Sequence, residues 1–345
     1  MEVTKDNYSE EYCAADFLDY FRMIENHPEG LEAQTGFSQL DEKLQGGMHE
    51  GLYIIGAISS LGKTTLTLQL ADQIAGAGQD VLFFSLEMSK TELMAKSISR
   101  NSFCYAGLAK ENARFFAKNT MEIMNNRHYK SYTDKERQVI NEAIKLYAMS
   151  ADNLYIYEGQ YQGKRLTVQK IKELTLKHKE LTGRTPIVFV DYLQIIAPAD
   201  PRASDKQNTD TAVTELKALS RELQTAVFAI SSFNRENYTE PVSMASFKES
   251  GAIEYSSDVL FGLQYEGMDY QADESFNRAS RLRELMKDIY RRKENKEPIQ
   301  VELKCLKNRN GYQFTVGFDM YPAFNCFIER ATQNNSLSKR KKHPV

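Results

Sequence analysis

The sequence of 345 residues has few cysteines and no long apolar run. A membrane-spanning helix needs about 18 or more consecutive apolar residues, and because the chain has no such run we expect no membrane span. Residues 1–6 are too polar for a secretory signal. The cysteines, Cys13, Cys104, Cys305 and Cys326, are widely scattered and form no C-x-x-C pair. Their spacing argues against a metal site and favours reduced, mostly packed thiols in a cytoplasmic protein.

A strong excess of charge of one sign is also missing. The formal net charge is −3, so the whole chain does not attract nucleic acid electrostatically. Any DNA contact must come from a local patch, because neutralising phosphates depends on where Lys and Arg are placed. With 41% hydrophobic and 26% charged residues, the composition is that of an ordinary globular protein with enough length for a sizeable core.

Residues 54–65 predict a phosphate-binding loop between a strand and a helix. An apolar strand at 52–55 leads through small residues to Gly62, Lys63 and Thr64, where a helical pattern begins. Backbone N–H groups at a helix N-terminus point at a bound anion, and the helix dipole adds to the attraction. We expect Lys63 to reach the β- and γ-phosphates of a nucleotide, and the Thr64 hydroxyl to bind Mg²⁺.

The predicted nucleotide-binding residues deviate from the usual pattern at one position. They are Ala57, Ser59, Ser60, Leu61, Gly62, Lys63, Thr64 and Thr65. The pattern G-x4-G-K-[ST] has its first glycine where this sequence has Ala57, and Gly56 stands one place too early.

Uniformly apolar segments alternate with helical patterns from residue 52 onwards. Segments of this kind are typical of strands that are buried on both faces. Their alternation with helices predicts an α/β fold with a mostly parallel central sheet flanked by helices. The segments are 52–55, 81–85, 154–157, 187–190, 227–231 and 259–263.

Two acidic residues follow apolar strands of this predicted sheet. Glu87 comes just past the strand at 81–85, and Asp191 ends the strand at 187–190 in the form of a Walker B element. Ligands of open parallel sheets bind at the carboxyl ends of strands. There Glu87 could polarise a water for attack on a γ-phosphate, and Asp191 could hold Mg²⁺ through its water shell. Alternatively, Glu87 is a surface residue that begins the next helix, and Asp191 is a helix cap.

An Asn-Gly pair at 310–311 is a strong tight-turn signal between strands at 301–306 and 314–318. Such a turn would present Lys307 and Arg309 on an exposed tip. They are then either plain solvated charge or a finger that reaches the γ-phosphate of a nucleotide bound to a neighbouring subunit.

Taken together, these segments resemble the motor domain of the DnaB-type replicative hexameric helicases, which has a RecA-like fold. The resemblance extends from about Thr35 to Ile328 and includes the alanine at position 57. The other matching motifs are Thr35–Asp41, Phe84–Met88, Asp191–Gln194, Lys248–Glu254 and Lys307–Gly311.

The resemblance implies an ATP hydrolase that works with Mg²⁺ as a DNA helicase. In this family the residue matching Glu87 is the catalytic base, those matching Lys63 and Thr64 bind ATP and Mg²⁺, and the one matching Asp191 is the Walker B acid. The implied partners are single-stranded DNA, further copies of the chain in a hexameric ring, and a loader or primase.

The resemblance also implies contacts outside the nucleotide loop. Lys307 and Arg309 become fingers that act in trans at the subunit interface. Lys248, Glu249 and Gly251 match the central-channel loop that holds the DNA backbone. A second channel loop is implied at 198–208.

The sequence departs from the family in three ways. The family's Ser-Gln is Ser231-Ser232 here, so the glutamine that senses the γ-phosphate is absent. The family's arginine in the DNA loop is Lys248, which keeps the charge but loses the fork geometry. The family's helical N-terminal domain has no counterpart in the sequence. The first and third departures favour an alternative function, a RecA-like switch that binds DNA or a partner with ATP but does not unwind.

The predicted domain organisation is an N-terminal helical arm or linker at 1–34, a RecA-like ATPase motor domain at 35–330, and a basic, disordered tail at 331–345. The motor domain carries a helical extension at about 100–150 and a charged insertion at about 266–298. The arm could pack on its own domain or dock on a neighbouring subunit, and the sequence leaves both open.

Overall fold

The computed structural model describes eight segments of the chain. They are residues 32–109, 113–125, 129–161, 164–198, 202–234, 240–247, 250–269 and 278–331. The predicted arm at 1–34, except for its last three residues, and the predicted tail after residue 331 lie outside them. Within these segments, no helix is both long enough and apolar enough to cross a membrane.

The strands of the described residues begin and end close to the predicted segments. They are β1 (Gly51–Ala57), β2 (Val81–Ser85), β3 (Leu154–Glu158), β4 (Gln160–Tyr161), β5 (Lys164–Arg165), β6 (Ile187–Asp191), β7 (Ala226–Ser232), β8 (Val259–Tyr265), β9 (Ile299–Asn308), β10 (Thr315–Tyr321) and β11 (Cys326–Glu329). In the described part of the chain, nine of them form one sheet in the order β11-β10-β9-β8-β1-β7-β6-β2-β3, and β4 and β5 form a separate ribbon.

The sheet has a parallel part and an antiparallel part. Strands β8, β1, β7, β6, β2 and β3 run parallel to their neighbours, whereas β9, β10 and β11 alternate in direction. The predicted α/β fold with a mostly parallel sheet is therefore confirmed. Burial on both faces was wrong for β3, because β3 is the last strand of the sheet and carries partly exposed side chains, such as Tyr155.

Helices lie between the strands, as the alternating pattern predicts. In the described residues they are α1 (Ser38–Lys43), α2 (Lys63–Gly76), α3 (Lys90–Leu108), α4 (Ala113–Phe116), α5 (Thr120–Met124), α6 (Asp134–Ala151), α7 (Val168–Thr182), α8 (Asp205–Leu223), α9 (Ser250–Ser256) and α10 (Arg278–Glu294).

Both faces of the parallel sheet are buried, except at β3. One core cluster joins alternate strand residues, such as Ile55 and Phe83, to Leu66 and Ile74 of α2. The other cluster joins the opposite strand faces to apolar side chains of α7 and α8. Because side chains of a strand alternate between faces, uniformly apolar strands fit a sheet that is covered on both sides.

A parallel sheet has one side where the carboxyl ends of its strands lie and an opposite side where the amino ends lie, and we call these two sides its edges. The strand directions show at which of these two edges each connection lies. The carboxyl ends of β1, β2, β6 and β7 meet at one edge, which we call the nucleotide edge. Strand β9 runs antiparallel to β8, so Asn308 pairs with Val259 at the opposite edge. Strand β10 runs back, so the turn between β10 and β11 lies at the nucleotide edge.

Candidate nucleotide site and the hairpin at the opposite edge

The phosphate loop ends at Gly62, which has a backbone that only glycine adopts readily. Its φ is +93°, and a Cβ at this position would lie 2.6 Å from Cε of Met320. Lys63 then begins α2, and its Nζ donates hydrogen bonds to the carbonyls of Ala57 (2.9 Å) and Ile58 (3.2 Å). Lys63 therefore folds back over the loop, where an anion at the start of α2 would meet it.

Gly56 has a packing role that explains why glycine stands one place early. It lies inside β1, and a Cβ there would come within 2.3 Å of Phe233 and 2.4 Å of Phe247. The two phenyl rings cover the backbone at this point and leave no room for a side chain. Gly56 is thus required by the core and is distinct from the first glycine of the phosphate-loop pattern.

A cavity of about 460 Å³ opens at the nucleotide edge above the loop. Its lining includes these predicted residues: Ser59, Ser60, Gly62, Lys63, Thr64, Thr65, Glu87 and Asp191. Ala57 and Leu61 are buried and do not line it; Ala57 ends β1, and Leu61 packs into the core. The structure thus brings the predicted loop and both predicted carboxylates to one cavity.

Asp191 is the buried carboxylate of this cavity. Burial raises the pKa of Asp191 to about 6, although the hydrogen bond from the Thr64 hydroxyl lowers it. Among the described residues, nothing forms a hydrogen bond with Asp191 Oδ2, which is inaccessible to solvent. A buried, unpartnered carboxylate oxygen beside a hydroxyl is a donor set that suits Mg²⁺, which prefers oxygen ligands. The residues present therefore fit that metal.

Glu87 lies at the rim of the same cavity. Strand register pairs Ser85 with Asp191, so Glu87 follows the strand next to the one that Asp191 ends. Ser85 Oγ donates to the Met88 carbonyl at 2.6 Å, which fixes the turn around Glu87. The next helix is capped by Ser89, so Glu87 precedes the helix and keeps an exposed carboxylate.

A second lysine that no sequence motif indicates, Lys96 of α3, also lines the cavity. Its Nζ donates to Oδ1 of Asn325, in the turn between β10 and β11, at 3.0 Å. Burial lowers the pKa of Lys96, while the charge of Asp191 raises it. Met320 and Pro322 of the same hairpin also line the cavity. No local motif marks these residues, because the antiparallel strands return them to the site from far along the chain.

The end of β7 is tied to the loop after β6. Gln194 Nε2 donates to Ser231 Oγ at 2.9 Å, and Gln194 Oε1 accepts from the Ser232 N–H at 3.3 Å. Ser232 lines the cavity where the family has its glutamine. The carboxamide of Gln194 therefore sits beside this position but is bonded to the strand.

The hairpin between β9 and β10 forms as predicted, but it does not leave both cations exposed. Lys307 Nζ donates to the carbonyls of Glu254 (2.6 Å), Tyr255 (3.3 Å) and Ser257 (2.6 Å) at the C-terminal end of α9. The expectation of an exposed Lys307 was therefore wrong, because these helix carbonyls hold its ammonium group.

Arg309 remains accessible at the tip of this hairpin. Its side chain is 45% exposed and lies 3.4 Å from Asp258, which also pairs with Lys217. Arg309 and Lys307 sit at the edge opposite the nucleotide edge of their own chain. Arg309 therefore lies away from the nucleotide cavity of its own chain.

The structure describes only some of the predicted DNA-contacting residues. Lys248 and Glu249 lie outside the described residues, and Gly251 is exposed in the first turn of α9 with open space around it. In the second predicted channel loop, residues 199–201 are outside the described residues. Its last part is helical, because Ser204 caps α8 at Asp205, so the loop is shorter than the predicted 198–208.

Comparisons with known proteins identify a family for this chain. The family model for the DnaB-like helicase C-terminal domain matches residues 32–329. The chain is 28% identical to the replicative DNA helicase DnaB of Helicobacter pylori (strain ATCC 700392 / 26695) over 313 residues, which are 86% of this chain and 58% of that protein. It is 31% identical to DnaB of Leifsonia xyli subsp. xyli over 303 residues, 86% of this chain and 56% of that protein. The chain thus spans somewhat more than half the length of these relatives.

Solved structures share the fold. One structure, described as an ATPase domain, has a TM-score of 0.71 and 22% identity, and the match covers 95% of this chain and all of that one. A structure described as a DnaB-like replicative helicase and its interactions with primase has a TM-score of 0.68 and 22% identity, covering 95% and 67%. These matches show that the chain shares the α/β fold of these two structures.

Proposed function

The chain belongs to the family of DnaB-like helicase C-terminal domains, and we propose that it is an ATP-hydrolysing ring motor that translocates on single-stranded DNA and separates duplex strands. The observation that carries this proposal is the cavity that joins Lys63 and Thr64 of the phosphate loop to Glu87 and Asp191. These are the parts that phosphoryl transfer to water needs: a cradle for phosphates, a metal-binding carboxylate and a group that orients the attacking water.

In this mechanism the chain's own residues bind the phosphates and orient the water. N–H groups at the start of α2 hold the phosphate oxygens, and Lys63 exchanges its two backbone carbonyl contacts for them. Thr64 and Asp191 would hold Mg²⁺, which neutralises charge on the phosphates when bound. Glu87 accepts a proton from the water that attacks the γ-phosphate.

We propose that a neighbouring subunit completes the site with Arg309. A ring built from head-to-tail contacts joins two different faces of the chain. The nucleotide cavity and Arg309 lie at opposite edges of the sheet, which supports a head-to-tail ring. Lys307 would position this finger: it holds the end of α9, and α9 begins beside the candidate DNA loop at 248–251. A movement of the finger is thereby connected to the DNA contact.

The proposed partners are single-stranded DNA and further copies of the chain in a hexameric ring. Lys248, Glu249 and Gly251 are the proposed DNA contacts. The relatives are replicative helicases, and one similar structure is described together with primase interactions. A primase or a loader is therefore a further proposed partner of this chain.

The first test is ATP turnover with and without single-stranded DNA. Lys63→Ala should abolish turnover and its stimulation by DNA, because the amine that meets the phosphates is lost. Lys177→Ala, on the exposed side of α7, is the matched control and should turn over ATP as the unmodified chain does. Full turnover in Lys63→Ala would contradict the assignment of the site.

The trans arrangement has a sharper test in mixed assemblies. Lys63→Ala and Arg309→Ala subunits should each be inactive alone. Mixed in equal amounts, they should regain activity, because about a quarter of the interfaces would then pair an intact loop with an intact Arg309. A mixture as inactive as its components would rule out the contribution from a neighbour.

A second candidate function is a RecA-like switch that binds DNA or a partner with ATP and does not unwind. Ser232 supports it, because a serine is too short to replace the glutamine of the family and Gln194 is held against β7. A forked-duplex assay separates the two functions. A motor releases the displaced strand, whereas a switch binds ATP and DNA and leaves the duplex intact.

A further inference from the structure

Two cysteines that are 222 residues apart in sequence lie side by side next to the nucleotide cavity. Sγ of Cys104, near the end of α3, is 4.0 Å from Sγ of Cys326, the first residue of β11. A disulfide has a sulfur separation of about 2.05 Å, so a shift of about 2 Å would allow the bond. Cys104 is exposed and Cys326 is buried.

A buried cation lies close to both thiols. Arg100, one helical turn before Cys104, is 4% exposed and forms an ion pair with Asp72 of α2. Its Nη1 has no hydrogen-bond partner among the described residues. The hydrogen bond from Cys326 lowers the pKa of Cys104 to about 7, and the charge of Arg100 adds to this shift. The same hydrogen bond and burial raise the pKa of Cys326.

We infer that Cys104 and Cys326 are a peroxide-sensitive pair that closes to a disulfide between α3 and β11. The exposed thiol meets the oxidant, and the buried thiol resolves the product. This division of roles follows from access, because Cys104 is exposed to a small peroxide and Cys326 is buried.

The reaction balances with hydrogen peroxide as the oxidant. The Cys104 thiolate attacks one peroxide oxygen, the O–O bond breaks, and the hydroxide that leaves takes up a proton to become water. The sulfenic acid on Cys104 is then attacked by Cys326, which gives up its proton. The S–S bond forms, the S–O bond breaks, and a second water leaves. Two thiols are oxidised, and one peroxide is reduced to two waters.

The disulfide would act on the nucleotide cavity through one face of α3. Lys96, Arg100 and Cys104 are spaced four residues apart and therefore lie along the same side of the helix. Lys96 donates to Asn325, the residue directly before Cys326. Drawing the two sulfurs together displaces both ends of this contact, and we expect it to weaken nucleotide binding. This second step depends on the proposed function, whereas disulfide formation does not.

The experiment treats the full chain with hydrogen peroxide and maps its peptides without reduction. We expect a crosslink between the peptides of Cys104 and Cys326, with loss of two hydrogens, which a thiol reductant reverses. Cys13→Ser should still form the crosslink, and Cys104→Ser should not. In Cys326→Ala, a dione that traps sulfenic acids should label Cys104. Failure to form the crosslink in the folded chain would overturn the inference.

The effect on the site is measured separately with a fluorescent ATP analogue. The oxidised chain should bind it about fivefold more weakly, which corresponds to the loss of one hydrogen bond, and reduction should restore the affinity. A crosslinked chain with unchanged affinity would overturn the link to the cavity. A reduced chain that does not bind the analogue would contradict the proposed function and leave the crosslink result standing.

Discussion

Lys307→Met separates two roles of the hairpin, because it removes the ammonium group and keeps most of the apolar stem. In the isolated chain this ammonium bonds to three carbonyls at the end of α9. Lys307 is partly exposed, so water can replace part of what is lost. At about 0.5–1 kcal/mol for each bond, the free energy of unfolding should fall by about 2 kcal/mol.

Arg309→Met is the matched comparison two residues away. Arg309 is more exposed and, among the described residues, has one ion pair, at 3.4 Å, with Asp258, which keeps its pairing to Lys217. An exposed ion pair contributes about 0–1 kcal/mol, so this variant should lose at most about half as much stability. Both variants should lower ATP turnover, Arg309→Met by loss of the finger and Lys307→Met by loss of its support.

The assay is urea unfolding without nucleotide, at a protein concentration where light scattering shows single chains. Under these conditions a neighbour's site cannot contribute, so the difference reports only contacts within the chain. Equal free energies of unfolding for the two variants would refute the view that Lys307 stabilises the end of α9. A pure finger role in trans would then account better for both cations.

Three further predictions test other parts of the site. Gly56→Ala should lower the free energy of unfolding by about 1–3 kcal/mol, because its Cβ clashes with two phenyl rings. Gly107→Ala is the control and should not lower it, because nothing lies within 4 Å of a Cβ at that position. Urea titrations that gave both variants the same free energy of unfolding would contradict this prediction. Asp191→Asn should raise the Mg²⁺ concentration needed for half-maximal ATP turnover, measured by magnesium titration, and an unchanged requirement would remove Asp191 from the metal site. Gln194→Ala should reduce the stimulation of turnover by single-stranded DNA more than turnover without DNA, since it frees the end of β7 from the loop after β6; equal losses in the two assays would argue against that coupling.

The parts of the molecule that were predictable are those encoded locally. The strand that leads into Lys63 and the strand that ends at Asp191 are continuous apolar runs, and both form as predicted. Parallel strands bring their carboxyl ends to one edge whatever their order in the sheet, so the meeting of Glu87 with the phosphate loop follows from the pattern. That β3 is the outermost strand of the sheet does not follow from the pattern, because an apolar run carries no information on how many neighbours a strand has.

The position of Lys307 could not be predicted for a related reason. In the pairing of β8 with β9, Leu260 faces Lys307 and Phe261 faces Cys305, so the register skips a residue of β9 between them. A one-residue irregularity moves the following side chains to the other face of a sheet. Simple alternation along β9 therefore gives no reliable orientation for Lys307, and its partners at the end of α9 are about fifty residues away in sequence.

The same topology leads to our view of why hydrolysis should require two copies of the chain. Three successive antiparallel strands added to a parallel sheet necessarily have their two turns at opposite edges. One turn, with Asn325, contributes to the nucleotide cavity, while the other carries Arg309 away from it. No rearrangement that preserves the sheet brings Arg309 to the cavity of its own chain. If Arg309 acts on a nucleotide at all, the coupling of hydrolysis to movement must pass through a contact between subunits, and Lys307 then links that contact to the helix beside the DNA loop.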